Sequence, residues 1–99
     1  MTNVRPPVVV SVGEVLVDFL AEEIGDDLAA ATRFVRAQGG AVANVAAGLA
    51  RMGATSRFIG KVGDDPFGRY LVESLRDFGV DVSGVAVSDK YPTGLVFAI

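Results

Sequence analysis

A run of apolar, mostly β-branched residues near the start of the chain, Val8 to Val12, constrains the fold more than any other feature. A continuous run of this kind is typical of a strand that is buried on both faces, as in a parallel sheet. Further along the chain, strand-like segments alternate with two segments of helical periodicity. Because parallel strands are joined by crossover helices, this alternation predicts an α/β fold.

Both predicted helices have recognisable ends. The first begins near Val42, carries apolar residues at i, i+4 and i+7, and stops at Gly53, the usual position of a C-terminal glycine. The second begins with Asp65 as N-cap and Pro66 as first helical residue, and it stops at Gly79. Each helix is therefore expected to lay one apolar face on the sheet.

The remaining apolar segments are predicted to be strands: residues 8–12, 15–20, 32–37, 56–62, 85–87 and 93–99. Residues 89–92 are predicted to join the last two strands as a hairpin turn. The last strand has no terminating signal. We therefore expect that the chain is the N-terminal part of a longer protein.

The composition excludes several kinds of site. The 99 residues include no histidine and no cysteine, which excludes a Ser-His-Asp triad, a thiol nucleophile and a thiolate zinc site. Twelve acidic and 9 basic residues give a net charge of −3, which argues against nucleic acid as a partner. No apolar run approaches the roughly 20 residues of a membrane span, so we expect a soluble, cytoplasmic protein.

A glycine pair, Gly39-Gly40, precedes the first predicted helix, and Asn44 lies in its first turn. Glycines let the backbone approach a ligand closely, and the free N–H groups of a helix start bind oxygen atoms. The Asn44 amide can donate and accept hydrogen bonds, which suits a ligand that carries many hydroxyls. A helix-entry turn with an incidental asparagine explains the same residues, and the spacing alone leaves both interpretations open.

Asp18 is the second candidate, because it is a carboxylate between Val17 and Phe19 in an apolar strand. One ionised carboxylate can accept hydrogen bonds from two neighbouring hydroxyls, as sugar-binding aspartates do. An outward-facing strand position in contact with solvent would also explain Asp18, and the pattern favours neither interpretation.

Together these residues resemble the ribokinase-like carbohydrate kinases, also called the phosphofructokinase-B family. Gly39-Gly40, Asn44 and the small residues after them resemble the first signature of that family, and residues 60–68 are similar to the segment that follows it. The residues around Asp18 and those at 92–94 fit as well, so that the resemblance covers nearly the whole chain. It is closest to the fructokinase branch, although Val42 stands where that branch usually has proline.

The resemblance implies a ribokinase-like three-layer fold with a small β-sheet lid, of which residues 1–99 would be the N-terminal portion. The strands of the lid would lie near residues 15–20, 32–37, 85–88 and 93–99. Asp18 and Asn44 would hydrogen-bond sugar hydroxyls, and the backbone of Gly39 and Gly40 would line the pocket. Phe97 would form one of its walls.

The resemblance further implies an ATP-dependent enzyme that transfers the γ-phosphate to a hydroxyl of a fructose-like sugar, with Mg²⁺ as cofactor. The catalytic base and the nucleotide pocket of the family lie in a C-terminal part, so we assign no catalytic or metal-binding residue here. We expect the 99 residues alone to be inactive. Lid-to-lid dimers occur in the family, and a truncated, non-catalytic paralogue that binds sugar or dimerises is the alternative hypothesis.

Overall fold

The computed structural model describes residues 7–25 and 27–99. Within these ranges the order of strands and helices is the predicted one, with a short 3₁₀ turn added at Leu28–Ala30. The elements are β1 (Val8–Val12), β2 (Leu16–Ala21), β3 (Phe34–Gly39), α1 (Ala41–Arg51), β4 (Thr55–Gly63), α2 (Pro66–Asp77), β5 (Val85–Ser88) and β6 (Leu95–Ala98).

Three strands form a parallel sheet in the order β1-β4-β5. The first half of β4 pairs with β1 and its second half with β5, so β4 is the central strand. Helix α1 packs on β1 and β4, and α2 packs on β4. The fully buried side chains of Phe58, Leu71 and Leu75 lie between this sheet and the helices. The predicted α/β fold with parallel strands is confirmed.

Strand β1 is buried on one face only, although a run of this kind is typical of burial on both faces. Val8, Val10 and Val12 are 49%, 48% and 68% exposed, whereas Ser11 between them is buried. The reason is that α1 covers only one face of the strand, and nothing in residues 7–25 and 27–99 covers the other. The valine run therefore leaves an apolar strip open to solvent.

The ends of both helices are as predicted. Asp65 caps α2 by accepting a hydrogen bond from the Gly68 N–H at 2.7 Å. Helix α1 begins after Gly40, which has a φ of +100° and makes no side-chain cap. Gly53 and Gly79 follow the two helices with φ values of +94° and +96°, which only glycine adopts without strain.

A second sheet has the order β3-β2-β6, with β3 antiparallel and β6 parallel to the central β2. Side chains alternate across a strand, so its two faces differ. We call the face of Val17 and Phe19 the packed face, because Val17 is fully buried and the Phe19 ring lies edge-on to Phe67 of α2 at 5.5 Å. We call the opposite face, with Asp18 and Leu20, the open face.

Two expectations for the C-terminal part of the chain were wrong. Residues 85–88 do not join the second sheet, because β5 pairs in parallel with β4 from Gly60 onward. Residues 89–92 consequently do not form a hairpin, since they connect β5 in one sheet to β6 in the other. The other three segments assigned to the lid do form one sheet. The third predicted strand, 32–37, lies two residues later in the structure, at Phe34–Gly39.

Neither helix in the part of the chain that the structure describes has the length and apolar character needed to cross a membrane.

Candidate functional site

Asp18 and Gly39 lie side by side on the open face of the second sheet. Leu16 pairs with Gly39 across β2 and β3, and Asp18 pairs with Ala37 two register positions further along, so all four residues share one face. A Cβ atom added to Gly39 would come within 2.7 Å of the Asp18 Cγ and 2.8 Å of the Leu16 Cδ1. Any side chain at position 39 would therefore displace the carboxylate, and glycine gives Asp18 the space it occupies.

Gly40 brings the start of α1 against the segment that follows β1. A Cβ at this position would collide with the Glu14 carbonyl oxygen and would lie 3.1 Å from the Val15 Cα. The positive φ of Gly40 adds a second reason for glycine here. Strand β2, the segment after β1 and the start of α1 come together at Gly39 and Gly40. A side chain on either glycine would collide with these neighbours. Helix α1 begins at Ala41, so its first N–H groups, which have no intrahelical partners, follow Gly39 by two residues.

The Asn44 side chain lies in a different direction from Asp18. Its Oδ1 accepts a hydrogen bond from the Gln38 Nε2 at 3.3 Å, and the Gln38 Oε1 accepts one from the Ser74 Oγ at 2.9 Å. Gln38 and Gly39 are neighbours in β3 and face opposite sides of the sheet. Sequence reasoning missed Gln38, although strand alternation next to Gly39 is a signal that could have found it.

Phe97 does not share a wall with Asp18, which corrects the expectation for this residue. In the parallel pairing of β2 with β6, Asp18 lies opposite Val96, and Phe97 lies opposite Phe19. Residues opposite each other point to the same face, so Phe97 is on the packed face. There it stacks on the Phe19 ring at 4.9 Å and meets the Phe34 ring edge-on at 5.4 Å.

Thr93 connects the second sheet to the first, and sequence reasoning missed this connection. The Asp65 carboxylate accepts hydrogen bonds from the Thr93 N–H at 2.9 Å and from its hydroxyl at 2.7 Å. The Thr93 Oγ1 in turn accepts one from the Gly63 N–H at 2.9 Å. The pKa of Asp65 lies below its usual range because its carboxylate accepts hydrogen bonds from the Thr93 N–H, the Thr93 hydroxyl and the Gly68 N–H. Burial acts in the opposite direction and raises the pKa. Asp65 therefore stays ionised into acidic solution and fixes the chain just before β6.

Replacing Thr93 by valine is expected to lower the free energy of unfolding by about 1–3 kcal/mol, because the buried Gly63 N–H would lose its acceptor. Urea unfolding followed by circular dichroism measures this loss. Thr32→Val is the matched control, since the Thr32 hydroxyl also donates to a carboxylate but at an exposed position. An equal loss in the two variants would contradict the structural role given to Thr93.

The residues that the structure describes form no cluster of carboxylates that would hold a cation by itself. Within residues 7–25 and 27–99, no three aspartate or glutamate side chains come together in an arrangement that could hold a metal ion. Because Mg²⁺ is commonly held by one or two carboxylates together with substrate phosphates, we assign no residue in these ranges to it.

Comparison with known proteins identifies the family. The pfkB family carbohydrate kinase profile matches residues 7–99. Fructokinase-1 of Oryza sativa subsp. japonica is 50% identical over 93 residues, which cover 94% of this chain and 29% of that protein. The chain belongs to the pfkB family of carbohydrate kinases.

Solved structures define the fold. An uncharacterized sugar kinase from Pyrococcus horikoshii in complex with ATP is 45% identical, with a TM-score of 0.87 over 92% of this chain and 30% of that one. The Halothermothrix orenii fructokinase is 33% identical, with a TM-score of 0.84 over 91% of this chain and 32% of that one. The chain thus has the ribokinase-like α/β fold in part, and it matches the N-terminal portion of these larger kinases.

Proposed function

We propose that the chain is the sugar-binding portion of an ATP-dependent carbohydrate kinase that acts on a fructose-like sugar. The observation that carries the proposal is the position of the Asp18 carboxylate over Gly39, beside the uncapped start of α1 at Gly40. Identities of 50% to a fructokinase and 45% to a sugar kinase with bound ATP support the substrate class and the phosphate donor.

The chemistry of the proposed site is the recognition of hydroxyl groups. The Asp18 carboxylate accepts hydrogen bonds, and two adjacent sugar hydroxyls can donate to its two oxygens. The N–H groups in the first turn of α1 are donors without intrahelical partners, and they bind sugar oxygens from the other side. Gly39 and Gly40 let the sugar approach the backbone because neither carries a side chain.

In the proposed reaction these residues position the substrate. Phosphoryl transfer depends mainly on alignment of the attacking hydroxyl with the phosphate and on stabilisation of charge. ATP supplies the γ-phosphate when it is bound. Asp18 and the start of α1 hold the sugar in one orientation, which selects the hydroxyl that receives the phosphate.

Ligand-observed NMR on the 99-residue chain tests the proposal. Fructose is expected to give saturation-transfer signals that rise with its concentration and reach a plateau as the site fills. Ethylene glycol at the same hydroxyl concentration is the control for non-specific contact with hydroxyls, and it is expected to give none. Equal signals from both compounds would contradict a sugar site.

Replacing Asn44 by alanine is expected to weaken fructose binding by about 2- to 10-fold, which corresponds to one hydrogen bond of roughly 0.5–1.5 kcal/mol. The Asn44 Oδ1 already accepts a hydrogen bond from Gln38, so the Asn44 amide N–H groups are the ones that donate to the sugar. Calorimetric titration gives the dissociation constant, and the urea midpoint serves as the check on folding. An unchanged dissociation constant in a folded variant would remove Asn44 from the site.

The open face also supports a second proposal, in which two copies of the chain pair through this sheet. Leu20, Val35 and Val96 share the open face and are 43%, 52% and 42% exposed. Sedimentation equilibrium tests for a dimer, and Val35→Lys is expected to shift the equilibrium towards monomer. A single monomeric species at all protein concentrations would contradict the pairing.

A further inference from the structure

A groove between β3, α1 and α2 carries two arginines that the proposed sugar site does not use. We call it the arginine groove; its main lining residues are Arg36, Gln38, Asn44, Arg51, Tyr70 and Ser74, and its volume is about 530 Å³. Among the described residues that line it there is no aspartate or glutamate. The groove is therefore a positively charged feature on a chain whose net charge is −3.

Both guanidinium groups are held by aromatic rings. The Arg36 Cζ lies 4.0 Å from the centre of the Tyr70 ring, and the Arg51 Cζ lies 5.5 Å from the centre of the Phe78 ring. Neither arginine forms a salt bridge within the described ranges. A stacked guanidinium keeps the N–H donors at its edge available, and those donors match the geometry of a phosphate group.

The two arginines are separated by polar groups that suit a sugar. Tyr70 and Phe78 are eight residues apart, or about 12 Å along the axis of α2. Ser74 lies midway between them and donates its hydroxyl hydrogen bond to Gln38. Amide and hydroxyl groups recognise ligand hydroxyls, so the centre of the groove is polar and uncharged while each end is cationic.

We propose that the arginine groove binds a phosphorylated sugar, with a phosphate at each guanidinium and the sugar body against Gln38 and Ser74. Asn44 lines the edge of this groove and is also assigned to the proposed sugar site, but both arginines and Gln38 lie apart from Asp18. Arg36 and Gln38 alternate along β3 with Ala37 and Gly39, so they face the opposite side of the sheet. The proposal does not depend on the proposed kinase function, because it rests only on the charges and contacts of the groove.

Thermophoresis of the dye-labelled 99-residue chain tests the site with defined probes. Fructose 1,6-bisphosphate is expected to bind at least tenfold more tightly than fructose 6-phosphate, since it engages both arginines. Inorganic phosphate and unphosphorylated fructose are expected to bind more weakly than either. Arg36→Gln and Arg51→Gln are each expected to raise the dissociation constant of the bisphosphate at least tenfold.

Arg76→Gln is the matched control. It also removes one positive charge, but Arg76 lies on α2 at an exposed position outside the arginine groove. It is expected to change the dissociation constant less than twofold. If a glutamine variant does not fold, Arg36→Lys and Arg51→Lys keep the charge but lose the planar fork, and the same loss of binding is expected. Equal effects at Arg76 and in the groove, or inorganic phosphate binding as tightly as the bisphosphate, would overturn the proposal.

Discussion

Replacing Asp18 by asparagine is expected to weaken fructose binding by about 10- to 100-fold while the fold is retained. The asparagine keeps the shape of the side chain, so the close packing beside Gly39 survives. It replaces one acceptor oxygen by a donor and removes the charge that strengthens each hydrogen bond, which costs roughly 1.5–3 kcal/mol. Calorimetric titration with fructose measures the change.

Asp89→Asn is the matched control for this substitution, because Asp89 is an exposed carboxylate in the segment between β5 and β6. Removing the Asp89 charge is expected to leave the dissociation constant for fructose unchanged. If Asp18→Asn binds fructose as tightly as the parent chain does, Asp18 is a solvent-facing strand residue and no part of a sugar site.

The second large effect is expected in a catalytic assay. The 99 residues by themselves should consume ATP no faster with fructose than without it. Transfer of a phosphoryl group needs a group that takes the proton of the attacking hydroxyl and a cation that balances the phosphate charge. Asp18 is assigned to binding, and the described residues bring no three carboxylates together.

A coupled assay for ADP formation, run with and without fructose, tests this expectation. The Halothermothrix orenii fructokinase, which shares the fold, is the positive control for the assay conditions. A monodisperse preparation of the chain that phosphorylates fructose at an appreciable rate would contradict the assignment of Asp18 to binding alone.

The sequence predicts the order of elements well because local signals mark their ends. Asp65 and Pro66 at the start of α2, and Gly53 and Gly79 after the helices, fix the boundaries through backbone geometry that few residues adopt. The pairing of residues 85–88 was wrong because it depends on which distant segment lies alongside. Apolar character at Val8 to Val12 does not reveal that one face of the strand stays uncovered.

Local signals in the sequence also made part of the candidate site predictable. Gly39 and Gly40 are needed at a close approach of backbone segments, and the sequence marks such places with glycine. Phe97 was misplaced because its face depends on the register between β2 and β6, and a shift of one residue reverses the assignment. The bond from Asp65 to Thr93 joins residues 28 positions apart, and no local pattern indicates it.

Mapping of fructose on the chain by two-dimensional NMR tests the central claim most directly. In ¹⁵N–¹H spectra recorded with increasing fructose, the amide signals of Asp18, Gly39 and Gly40 are expected to shift together along one saturation curve. The amides of Arg36 and Ser74, in the arginine groove, are expected to shift little. Shifts confined to the arginine groove, or none near Asp18 at saturating fructose, would contradict the account.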